Sequence, residues 1–113
     1  MPHFIIECSQ NITEVQSPET LMRTVYDTAN TSGLFSTGDI KVRIKTYQDY
    51  HIGDNESFLH VFGNIMEGRT NEQKKTLSTS IVRALNDLLP NSPIISMNIR
   101  DFEAASYCNK SML

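Results

Sequence analysis

The strongest constraint on this chain is an order of patterns that it runs through twice: an apolar strand-like run, a capped amphipathic helix, and a second strand-like run. In the first pass, residues 2–8 (Pro-His-Phe-Ile-Ile-Glu-Cys) form an apolar run closed by the turn-forming Ser9-Gln10-Asn11. Ser17-Pro18 supplies an N-cap with proline at the first helical position, and Gly33 stands where a C-terminal cap belongs. Together they bracket a helix over roughly 18–31. Leu21, Met22, Val25 and Ala29 share one face of it, while Arg23, Thr24, Asp27 and Thr31 fall elsewhere. Over residues 40–47, Val42, Ile44 and Thr46 alternate with Lys41, Arg43 and Lys45, which predicts a strand with a cationic face.

The second pass begins at residues 58–66, another apolar run of strand type, and Gly68-Arg69-Thr70 leads from it into a helix at about 71–89. Thr70 and Gln73 have capping-box spacing, Leu77, Ile81, Ala84, Leu85 and Leu88 form the packing stripe, and Pro90 and Pro93 stop the helix. Ile95, Met97 and Ile99 then alternate with Ser96, Asn98 and Arg100, a final strand over 94–102, before a small polar tail. Residues 48–57 are polar and turn-rich, either a loop or a short hairpin between the halves.

Each helix is long enough to cross between parallel strands. The expected fold is therefore α+β: a tandem β-α-β repeat in one domain, 1–113, with halves at about 1–50 and 55–113. A four-stranded sheet with both helices on one face leaves its other face uncovered. Runs that are apolar on both faces, such as Phe58-Leu59-His60-Val61-Phe62, then call for a partner subunit.

Composition narrows the function classes. A net charge of −3 argues against general attraction to nucleic acid or an anionic membrane, so any anion site must be local. The sequence has no apolar run of about 18 residues and no basic segment leading into an apolar one at its start. A cytoplasmic protein is expected. Cys8 and Cys108 lie far apart without CxxC spacing, which reads as free thiols and gives no support to a zinc or redox motif.

Chemistry concentrates at Met1-Pro2-His3. Were Met1 removed, Pro2 would carry a free secondary amine on a rigid ring, whereas inside a chain its nitrogen is an amide without basicity. Burial or nearby cations lower an α-amino pKa from its ordinary value near ~8, which would make such an amine a base at neutral pH. The plainer alternative is that Pro2 starts an edge strand, where a missing N–H costs nothing. The Lys41, Arg43 and Lys45 face is likewise either solvated or an anion site. His3 and His60 each stand alone on an apolar strand, a setting that ordinarily holds a hydrogen-bonded core or interface residue, and Cys8 reads as buried filler.

Residues 2–9 with Asn11-Ile12, the Gly33-Leu34-Phe35 turn, Phe58-x-His60 and Gly68-Arg69-Thr70-x-Glu72 together resemble the 5-carboxymethyl-2-hydroxymuconate delta-isomerase family of the tautomerase superfamily. The resemblance runs nearly end to end. It implies a homotrimer whose three sheets line a central barrel, acting without cofactor or metal on a small unsaturated hydroxy or keto polycarboxylate in aromatic catabolism. On this resemblance Pro2 is the general base and then acid, Arg69 binds a substrate carboxylate, and His3 is a further substrate contact. The family's arginine on the first half's second strand is replaced by Lys41, with Arg43 two residues on along the same face. Lysine keeps the charge but loses the bidentate grip, so either Arg43 substitutes or the substrate differs. The 48–57 connection and the tail are also shorter than the family's. Two other functions fit the same residues: another tautomerase-superfamily activity, or a non-catalytic trimeric binding protein if Met1 stays in place.

Overall fold

Both helices form where their capping signals stand, in a computed structural model that describes all of Met1–Leu113. Strand β1 (His3–Ser9) is followed by a short helix α1 (Ile12–Val15), helix α2 (Pro18–Thr31) and strand β2 (Lys41–Tyr47). Strand β3 (Leu59–Met66), helix α3 (Asn71–Leu88) and strand β4 (Ile95–Phe102) make the second half. The Ser17 hydroxyl accepts from the Thr20 amide at 3.1 Å, and Pro18, with no N–H to satisfy, occupies the first turn of α2. Gly33 takes φ 74° just beyond the last residues of that helix, the left-handed conformation that lets the chain turn away. At α3 the capping box closes both ways: Gln73 N–H donates to Thr70 Oγ1 at 3.1 Å, and Thr70 N–H donates to Gln73 Oε1 at 2.9 Å.

The strands lie in the order β2-β1-β3-β4, with β1/β2 and β3/β4 parallel and β1/β3 antiparallel. Two β-α-β units thus meet along their first strands. Phe4, Ile6 and Cys8 of β1 and Leu59, Val61 and Ile65 of β3 are buried against Leu21, Val25 and Ala29 of α2 and Leu77, Ile81 and Leu85 of α3. Each such fully buried Leu, Ile or Phe contributes about 1.5–3 kcal/mol relative to exposure, so this layer is the main source of stability. Gly63 sits here because space is short: a Cβ on it would lie 3.0 Å from Met97 Cε and 3.3 Å from the Phe4 ring.

The alternate residues, His3, Ile5 and Glu7 of β1 with His60, Phe62 and Asn64 of β3, point to the other face and are only half-buried. No helix of the chain covers them. Residues 48–57 form the loop of the two sequence alternatives, tied down by hydrogen bonds from Asn11 Nδ2 and the Tyr50 hydroxyl to the Glu56 carbonyl at 2.9 and 3.1 Å. Helix α1 has no counterpart in the sequence reading. It is a single turn anchored by buried Ile12, too short to show a period. No helix is long and apolar enough to cross a membrane.

Candidate active site

Parallel pairing of β1 with β2 decides which side chains meet at the start of the chain. His3 lies opposite Lys41 and Ile5 opposite Arg43, so His3, Lys41 and Arg43 share the open face of the sheet. Pro2 is buried immediately before the strand, and its carbonyl accepts from the Lys41 amide at 3.1 Å, which extends the ladder by one bond. With Met1 in place, the Pro2 nitrogen is a tertiary amide.

Arg43 reaches diagonally to His3, with Nη1 3.1 Å from Nδ1. The His3 pKa is lowered from its ordinary value, first by burial and then by the charges of Arg43, Lys41 and the chain's amino terminus. Arg43 bonds the imidazole directly, and the other two cations act on it through their charge alone. The Phe102 ring stands edge-on to His3 with centroids 6.0 Å apart, and Tyr107 lies 5.9 Å beyond it. The tail is held in this position because the Ala104 amide donates to the Glu67 carboxylate and the Glu67 amide to the Phe102 carbonyl. Phe102 and Tyr107 were not singled out in the sequence, and Glu67 shows there no acid/base spacing that would compel a role. The only available signal was the aromatic character of Phe102 and Tyr107 in an otherwise small, polar segment.

Lys41 is less free than its position suggests, since its Nζ turns back to the Asp39 carbonyl at 2.9 Å along the outer edge of β2. Arg69 is placed differently again. Gly68, at φ 119°, turns the chain sharply between β3 and α3 and sends Arg69 back over the sheet's end. There Nη1 donates to the Met66 carbonyl at 3.1 Å, Nη2 donates to the Leu34 carbonyl at 2.6 Å, and the guanidinium lies 5.0 Å from the centre of the Phe35 ring. Phe35 in turn meets Phe4 edge-on at 5.9 Å. Phe4 belongs to the helix-facing set, so Arg69 stands at the same end of β1 as Pro2 but on the other side of the sheet, without a bond to His3, Lys41 or Arg43. Three of its five N–H groups remain uncommitted.

The widest concavity, about 720 Å³ between α2 and α3, is lined by Thr28, Thr31, Leu34, Thr76 and Ser80 among others and includes none of these site residues. No three His, Cys, Asp or Glu side chains converge as a metal site. Further along the same open face, opposite Glu7, stands a second cluster: His60 Nδ1 is 2.6 Å from Ser96 Oγ, and its Nε2 is 2.6 Å from Asn98 Oδ1.

The family described as 5-carboxymethyl-2-hydroxymuconate isomerase matches residues 2–112. The 5-carboxymethyl-2-hydroxymuconate Delta-isomerase of Escherichia coli is 31% identical over 78 residues, which cover 66% of this chain and 62% of that protein. The aligned region thus spans less than two thirds of that relative. A crystal structure of a 5-carboxymethyl-2-hydroxymuconate isomerase from Deinococcus radiodurans R1 superposes with a TM-score of 0.83 at 25% identity, over 96% of this chain and 88% of that one. A fused 4-OT described as a wild-type symmetric trimer shares the fold, with a TM-score of 0.80 at 17% identity over 98% of this chain and 94% of its own.

Proposed function

We propose a reaction on the premise that this chain belongs to the 5-carboxymethyl-2-hydroxymuconate isomerase family. The protein is a cofactor-independent isomerase that moves a proton within an unsaturated hydroxy or keto polycarboxylate. Pro2, freed by loss of Met1, is the general base and then the general acid. Its secondary amine takes a proton from carbon or hydroxyl, and the released electron pair spreads through the conjugated system onto oxygen. The resulting ammonium returns the proton to a different carbon, so atoms, charge and oxidation state balance.

The observation that carries this reading is the pair of β2 cations, Arg43 and Lys41, on the same sheet face as His3, one residue from Pro2. Cations there depress the pKa of a terminal amine and attract the substrate's carboxylates, so one cluster serves both needs. Arg43 retains N–H donors for a carboxylate after bonding His3, and Arg69 offers its uncommitted N–H groups from the other side of the sheet's end. Because Lys41 Nζ is turned toward Asp39, the arginine-like grip falls to Arg43, which favours a substrate different in detail from that of the Escherichia coli relative. The uncovered sheet face, with half-buried Ile5 and Phe62, is the surface on which three copies assemble around a central barrel.

Turnover of a 2-hydroxymuconate-type dienol, followed spectrophotometrically alongside intact mass, tests the mechanism. Protein lacking Met1 is expected to be active, and Pro2→Ala to lose about 10²-fold or more in kcat. Full activity in a sample that retains Met1 would overturn the Pro2 assignment, whereas a protein that keeps Met1 and turns over nothing would leave a trimeric binding protein as the reading. Sedimentation at the mass of a trimer is the companion expectation.

A further inference from the structure

The contact between Arg43 and His3 carries more information than a shared charge cluster. A guanidinium has five N–H donors, no acceptor, and does not lose its proton in proteins. At 3.1 Å from Arg43 Nη1, the His3 Nδ1 atom can only be the acceptor. A neutral imidazole carries one N–H and one bare nitrogen, so the proton sits on Nε2, which has no acceptor within the chain.

The groups around His3 all act in the same sense. Lys41 and Arg43 face it from β2. Asn64 lies opposite it on β3, and the Phe102 ring meets it edge-on from β4. The nearest carboxylate on its own strand's open face, that of Glu7, accepts instead from the Tyr47 hydroxyl at 3.0 Å. With cations and an apolar edge around it and no carboxylate bonded to it, the imidazole is held neutral, and its lowered pKa agrees with this.

We propose that Arg43 is a positioning residue that holds His3 as the neutral Nε2–H tautomer, and that this N–H stabilises the negative charge developing on the substrate's oxygen. The proposal rests on the proton-transfer reading above and adds the group that receives the charge. While Pro2 holds the transferred proton, the dienolate oxygen accepts a hydrogen bond from His3 Nε2–H. The imidazole keeps its proton throughout, because a neutral imidazole is far too weak an acid to surrender it. The oxygen gives up the bond when Pro2 reprotonates carbon. A neutral donor fixed before the substrate arrives costs no reorganisation during the reaction.

Two measurements decide it. In ¹⁵N-histidine spectra of the substrate-free protein at neutral pH, His3 is expected to show a bare Nδ1 and a protonated Nε2. Arg43→Met is expected to mix the tautomers and raise the pH at which His3 titrates. In steady-state kinetics, His3→Ala is expected to lose about 10²–10³-fold in kcat, the usual cost of removing one oxyanion donor. His3→Gln, whose side-chain amide places an N–H near the Nε2 position, is expected to recover most of that loss. A protonated Nδ1 in the wild type, a His3→Gln no better than His3→Ala, or a His3→Ala loss confined to KM would each overturn the proposal. Failure of the general-base reading appears instead in Pro2→Ala, and the tautomer is read without substrate, so the two failures are separable.

Discussion

The two halves of this molecule place a histidine in the same cross-strand setting and surround it with opposite chemistry. In the first half His3 has Lys41 directly opposite and Arg43 two residues further on. In the second half His60 has Ser96 opposite and Asn98 two residues further on. The diagonal partner reaches the ring in both, but Arg43 can only donate to it, whereas Ser96 and Asn98 together occupy both nitrogens of His60 at 2.6 Å. One imidazole, one residue from Pro2, is left with a free polar atom, and the other is fully engaged. The β-α-β repeat therefore supplies two similar frames, and the residues on the open face of the outer strands make them chemically different.

If the difference is confined to the open face, the helix layer should not distinguish the halves. Leu21→Ala in α2 and Leu85→Ala in α3 each remove a fully buried side chain and are expected to cost about 2–5 kcal/mol of unfolding free energy. Denaturant unfolding of the two variants should give comparable losses. A first-half value several-fold smaller than the second would mean that the core is not shared evenly and would break the comparison.

The histidines themselves should differ in kind. His60→Ala leaves the Ser96 hydroxyl and the Asn98 carbonyl of a part-buried cluster without their partner and is expected to destabilise by about 1–3 kcal/mol while kcat stays at the wild-type value. His3→Ala is expected to show the reverse, a small change in stability with a large one in kcat. Thermal unfolding and turnover measured on the same two samples check the crossing, and parallel behaviour in both assays would erase the distinction.

Much of the frame was legible in the sequence because it rests on local signals. The Ser17-Pro18 and Thr70-x-x-Gln73 caps and the leucine stripes placed both helices to within a residue, since caps and periodicity act over one or two turns. Alternation along 40–47 likewise put Lys41 and Arg43 on one face. What the sequence could not display was cross-strand register and the path of the tail. Lys41 Nζ bonding to Asp39, Arg69 spending two N–H groups on the Met66 and Leu34 carbonyls, and Phe102 standing against His3 all depend on where distant segments meet. The His60 cluster was hidden for the same reason, because Ser96 and Asn98 read only as the polar half of an alternating strand until β3 and β4 were paired.

The depressed pKa of His3 gives the comparison a pH axis. Between the ordinary value of 6.5 and the lower value in the folded protein, the unfolded chain binds more protons than the folded one. Stability from this group is therefore complete above 6.5 and is lost as the pH falls through that window toward the folded value. His3→Gln removes the titrating group and should flatten this part of the profile in unfolding midpoints taken from about pH 5 to pH 7.5. An unchanged slope would place the proton uptake elsewhere and remove the charge contrast between the two halves.

The smallest expected effect concerns the two faces of a single strand. Cys8 lies on β1 with the opposite parity to His3, so its thiol is buried under the helices, and burial pushes its pKa up to about 11. Cys108 is exposed in the tail. Since the thiolate is the reactive form, a thiol reagent at about pH 7.5 should modify Cys108 in the native protein and reach Cys8 only after unfolding. Rapid native labelling of Cys8 would mean that the helix layer opens over β1 without global unfolding. The His3 face could not then be a rigid frame for Pro2, because both faces are built on the same seven residues of backbone. Slow labelling of Cys8 that tracks global unfolding would instead fix β1 as the stiff element that carries the proposed donor and is directly preceded by the proposed base.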